Sequence, residues 1–182
     1  MILPIFAYGA RVLKKQAKDI DKGYPGLTTL IESMWETMYN ASGVGLAAPQ
    51  IGKSIRLFVI DTTQISQERE VEGIKRVFIN ANKVTENGED WNYEEGCLSI
   101  PDVRGDVERP TEITLKYLDE EWKEVEETFT DIEARVIQHE YDHLEGILFT
   151  ELLKPVRKRR VKRKLENLKR GMAEVDYPLR FT

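Results

Sequence analysis

The stretch "TDIEARVIQHEYDHLEG", Thr130 to Gly146, decides the fold. Ile132, Val136 and Ile137 recur at the spacing of a helix face, Thr130 and Glu133 stand at capping-box spacing, and Gly146 supplies a stop. A helix follows, and it carries His139 and His143, the only two histidines of the chain. Residues four apart stand one above the other on a helix, so two imidazoles there can chelate one cation. A bare pair can equally arise by chance on a solvated face, and the neighbours must decide.

Before that helix, "IRLFVID" (55–61), "RVFIN" (76–80), "EITLKYLD" (112–119) and "KEVEETFT" (123–130) read as strands, with "LDEEWK" turning the last two into a hairpin. Near the N-terminus Leu27, Leu30, Ile31, Met34, Trp35 and Met38 form a helical core stripe, which Gly43 is expected to end as a left-handed cap. The expected fold class is α+β: antiparallel strands packed around a central helix carrying His-Glu-x-x-His, with a further helix at the C-terminus. At 182 residues the chain suits one domain, residues 1–182, with a body over about 1–150 and a basic helix over about 154–172.

An apolar fraction of 41% with 32% charged residues excludes a disordered chain. The longest apolar runs, such as "ILPIFA", fall far short of the ~20 residues of a membrane span, and the N-terminus lacks a basic head and cleavage site, so no membrane partner and a cytoplasmic location are expected. Cys97 is the single cysteine and cannot form an internal disulfide. It is either a buried small hydrophobe or a reactive or metal-binding thiol.

Charge divides the chain. Residues 1–150 hold 16 Lys and Arg against 28 Asp and Glu, whereas residues 151–182 hold 11 against 4. Within Lys154–Arg170, Pro155 suits a first helical turn, and Val161, Leu165 and Leu168 form one narrow apolar stripe. This helix either docks on the acidic body or meets a polyanion such as ribosomal RNA, where clustered cations displace counterions.

His139-Glu140-Tyr141-Asp142-His143 is the H-E-x-x-H pattern of metal hydrolases. Neutral imidazoles hold a divalent ion, the ion lowers the pKa of its water, and a nearby carboxylate takes the proton as that water attacks a carbonyl. A third ligand is needed. A metzincin would place histidine at 149, where Phe149 stands, and Glu151, Glu166 and Glu174 are poorly placed for a thermolysin-like site. The remaining donor is Cys97 in "EEGCLSIP", beside Gly96, which lets backbone approach a ligand closely. Thiolate and two imidazoles would leave a fourth position for water.

Three blocks together resemble the peptide deformylase family: "GVGLAAPQIG" (43–52), "EGCLSIP" (95–101) and "QHEYDH" (138–143). They match its G-x-G-L-A-A-x-Q, E-G-C-L-S and H-E-x-x-H motifs in order. The similarity runs over roughly residues 1–150, with Arg11 where the family more often has proline. It implies removal of the N-formyl group from the initiator methionine of nascent chains. It also implies Cys97, His139 and His143 as metal ligands, Glu140 as general acid/base, and the Gln50 side chain and Leu98 N–H as oxyanion donors. The implied ion is Fe(II) in the cell, with Zn, Ni or Co able to replace it.

For the substrate, Gly45 and Gly96 allow close approach of an extended peptide, Val44, Tyr93, Ile132 and Val136 are expected around the methionine, and Arg104 either contacts substrate backbone or is surface charge. Glu95 reads as a partner for a buried charge, and Asp142 as either a ligand-orienting or a solvated carboxylate. If Lys154–Arg170 serves ribosomal contact, its loss is expected to leave formate release from a short peptide nearly unchanged, because the three blocks precede residue 150; if it docks on the body, its loss is expected to lower the unfolding temperature. An endopeptidase and a noncatalytic ribosome-associated factor are the competing readings.

Overall fold

The unbroken apolar run of residues 57–60 has a simple cause in the computed structural model, which describes all 182 residues. Both faces of that strand are covered. In chain order the elements are β1 (Ile5–Phe6), α1 (Leu27–Asn40), β2 (Gly45–Ala47), β3 (Leu57–Asp61), α2 (Ser66–Arg69), β4 (Lys75–Cys97), β5 (Ile100–Leu118), β6 (Glu124–Thr130), α3 (Asp131–Leu144), α4 (Pro155–Lys169) and β7 (Leu179–Arg180). Strands β2 to β6 form one antiparallel sheet in sequence order. Phe58, Ile60 and Phe78 point to the side where Ile137, Tyr141 and Leu144 of α3 pack. Leu57, Val59 and Ile79 point to the other side, against Ile31, Met34 and Met38 of α1. The mixed α+β class read from the sequence is the class observed.

Strands β4 and β5 are far longer than their apolar patterns. Residues 82–90 are almost all exposed, so alternation is silent there, and the backbone ladder with β5 carries the strand onward to Cys97. The strand readings at 76–80 and 112–119 are therefore correct but partial. A two-residue turn, Leu98–Ser99, joins the long pair.

Two local expectations fail. Thr130 precedes α3 but its side chain makes no capping bond, because Asp131 turns the chain with φ +54° and Glu133 is engaged by Arg69 at 2.7 Å instead. Gly43 is not the left-handed cap of α1. Ser42 takes φ +57°, and the Gly43 N–H closes the helix on Met38 O at 2.9 Å. Gly146 ends α3 as expected, with φ +72° and the Ile147 N–H donating to Asp142 O at 2.9 Å, a Schellman closure.

The basic helix α4 docks. Val161 and Leu168 are buried, and Leu165 is partly buried, among Ala10, Leu13, Val103, Val107 and Phe149. Its partner surface is this apolar patch on β5 and the N-terminal segment. No helix is long and apolar enough to cross a membrane.

Leu168 is only 3% exposed, and truncating a buried leucine typically costs about 2–5 kcal/mol. Leu168→Ala should lower the free energy of urea unfolding by about that amount. An unchanged transition midpoint would mean that α4 contributes nothing to the fold.

Candidate metal centre

Alternation along β4 sends Trp91, Tyr93, Glu95 and Cys97 toward α3 while Asn92 and Glu94 face outward. This meeting of strand and helix creates the site. The ligand atoms of Cys97, His139 and His143 lie within 4.8 Å of one another. Cys97 Sγ is 3.4 Å from His143 Nε2, and the two imidazole rings stand 5.1 Å apart at 77°. Such a thiol and imidazole pair is a donor set for a borderline divalent ion.

Glu95 orients the His139 ring. A carboxylate only accepts, so in the 2.9 Å bond between His139 Nδ1 and Glu95 Oε1 Nδ1 carries a proton, which leaves Nε2 as the ring nitrogen that could meet a cation. Burial pushes His143 well below its ordinary pKa. At His139 burial acts the same way, but the hydrogen bonds to Cys97 and Glu95 outweigh it and hold the imidazole well above its usual value.

Glu95 itself is 4% exposed. Arg109 grips it twice, Nε at 2.7 Å and Nη2 at 3.0 Å, and Arg135 Nη1 donates at 3.1 Å. Burial alone would raise its pKa; His139 and Arg109 reverse that and hold it far below the carboxylate range. Arg109 Nη1 also donates to Asp142 at 2.7 Å. The sequence left Asp142 open between two roles; its carboxylate is a member of this buried cluster rather than a solvated helix charge.

Glu140 is a different carboxylate. It is 4% exposed, and burial pushes it up to about 7, with the His139 charge opposing and Glu95 adding to the rise. Its Oε2 has no hydrogen-bond partner in the protein. Gly45 lies so near that an added Cβ would stand 2.6 Å from Glu140 Oε1, so no larger residue fits beside this acid. Gln50 is buried, and its Oε1 accepts the Ala47 N–H at 2.9 Å. That bond directs Nε2 toward Cys97 Sγ at 3.5 Å and Ser99 Oγ at 3.2 Å.

Gly45, Gln50, Glu95, Cys97, His139 and Glu140 line a cleft of about 870 Å³. The family model described as Polypeptide deformylase matches residues 2–159. The chain belongs to the peptide deformylase family. The peptide deformylase of Christiangramia forsetii is 53% identical over 189 residues, spanning all of this chain and 96% of that one. The enzyme of that name from Flavobacterium johnsoniae is 49% identical with the same coverage. Among solved structures, a peptide deformylase from Legionella pneumophila superposes with a TM-score of 0.83 at 39% identity, over 96% of this chain and 99% of that one. One from Plasmodium falciparum gives 0.83 at 32% identity, over 92% and 95%.

Val44, Gly45, Tyr93, Gly96, Leu98, Ile132 and Val136 all border this cleft. Arg104 reaches its rim, where Nε donates to the exposed Glu94 at 2.9 Å. Two participants were missed. Arg109 and Arg135 were not weighed, although Arg135 occupies the helix position one turn before His139, and a charge inside an apolar helical stripe was a usable signal. The C-terminal tail was a third. Glu174, Val175, Asp176 and Tyr177 line the cleft wall, so the region beyond residue 150 is not separate from the site.

Proposed function

We propose that this chain hydrolyses the formyl amide at the N-terminal formylmethionine of newly made polypeptides, releasing formate, with one divalent ion held by Cys97, His139 and His143. The carrying observation is the cluster of these three donors, two of which, Cys97 and His139, line the cleft, with Glu140 buried alongside. The donors fit Fe(II), Zn, Ni or Co alike, and Fe(II) is the ion that the family resemblance implies in the cell. When bound, the ion supplies a Lewis acid that activates water and polarises a carbonyl.

Glu140 then acts at two points. With its pKa near 7 it is matched to taking the proton of the attacking water and returning it to the amine nitrogen as the C–N bond breaks. Gln50 Nε2, oriented through the Ala47 bond, and the Leu98 N–H donate to the oxyanion that forms on the formyl oxygen. Val44, Tyr93, Ile132 and Val136 receive the methionine side chain. Gly45 and Gly96 let the peptide backbone lie close to the strand edges, and Arg104 meets it at the rim. Hydrolysis of an internal peptide bond is the outcome that would favour an endopeptidase instead.

The reaction occurs in the cytoplasm, on chains emerging from the ribosome. The outward face of α4, with Lys158, Arg159, Lys162 and Arg163 exposed, supports contact with ribosomal RNA. Ribosome binding should weaken steeply as salt rises, as neutralised phosphates require. Salt-independent binding, or none, would remove that partner.

Anaerobic formate release from a formyl-Met peptide, with metal analysis of the same sample, tests the activity. Wild-type protein should release formate, and Glu140→Gln should retain the metal while losing about 10²- to 10⁴-fold in rate. No formate from metal-loaded wild type contradicts the function. Loss of metal from Glu140→Gln would make that residue structural.

A further inference from the structure

Three segments far apart in sequence grip the Leu98–Ser99 turn. The Tyr8 N–H donates to Ser99 O at 2.8 Å, Gln50 Nε2 donates to Ser99 Oγ at 3.2 Å, and Tyr177 Oη donates to Leu98 O at 2.7 Å. Of these, only Tyr177 holds Leu98 itself. The tail that carries it is anchored immediately beyond: β7 pairs in parallel with β1, and the N–H groups of Ile5 and Ala7 donate to Pro178 O and Arg180 O, both at 2.9 Å. The Tyr177 ring is partly buried against the α1 side of the core, so both its backbone and its ring are held while the hydroxyl reaches the turn.

The Leu98 N–H belongs to the peptide between Cys97 and Leu98. Cys97 fixes one end of that peptide through β4. The other end turns with Leu98, and a bond to Leu98 O restrains it. Tyr177 lies outside the matched family segment, residues 2–159.

We propose that Tyr177 is a positioning residue for deformylation: by holding Leu98 O it aims the Leu98 N–H at the developing oxyanion, making the C-terminal tail part of the catalytic apparatus. This inference rests on the activity proposed above. A donor aimed at charge that develops only in the transition state affects kcat and not KM. One neutral hydrogen bond of ordinary net strength corresponds to a loss of about three- to ten-fold.

The test compares full-length wild type, Tyr177→Phe and Tyr177→Ala on a formyl-Met peptide, with rates taken per bound metal. Tyr177→Phe should lower kcat by about three- to ten-fold with KM unchanged, and Tyr177→Ala should lower it at least as far. Wild-type kcat in Tyr177→Phe, or a rise in KM alone, would each overturn the role of Tyr177 and leave the activity standing. Wild-type protein that releases no formate would instead overturn the activity, before Tyr177 enters.

Discussion

Glu95 is a carboxylate taken almost wholly out of water, and such a group is tolerated only when its charge and lone pairs are met. Arg109 from β5, Arg135 from α3 and His139 from α3 all meet it. Because these partners come from the neighbouring strand and the facing helix, the bonds that satisfy Glu95 also fix how the long hairpin sits on α3. Cys97 stands two residues further along the same strand face. The constraint that keeps a buried charge satisfied therefore also brings the thiol to the two histidines.

The two carboxylates of the site show what environment does to one chemical group. Glu95 sits among cations and donors and stays ionised, whereas Glu140 is buried without a hydrogen-bond partner for Oε2 and is raised to about 7. One is suited to holding a ligand in place and the other to moving a proton. Gly45 keeps the space beside Glu140 clear, and Gln50 has its amide orientation set by the Ala47 backbone. Phe149, where a metzincin would carry histidine, packs its ring 5.9 Å from that of His139 and so helps to wall the site.

Much of this was legible before any coordinates, for identifiable reasons. The apolar spacing of 132–137 and the glycine at 146 marked α3, and four-residue spacing put both histidines on it. Residues 57–60 were recognisable as a strand because they are apolar on both faces. The continuation of β4 through residues 82–90 was not, since exposed strand residues carry no hydrophobic period and their ladder is made by backbone. Partners of a buried charge were also hidden: Glu95 suggested such a pairing, but Arg109 and Arg135 are distant in sequence and only strand register brings them together. The approach of Tyr177 to Leu98 depends on the tail's return to β1, which two-residue strands do not announce.

Under the proposed function, Glu95 organises Cys97, His139 and His143 for the ion from outside the donor set. Zinc affinity, measured by competition with a chromophoric chelator, tests it directly in Glu95→Gln, which leaves Cys97, His139 and His143 in place. The account predicts affinity weaker by about 10- to 100-fold, the usual effect of removing the group that orients a ligating histidine. Wild-type affinity in a folded Glu95→Gln protein would contradict it.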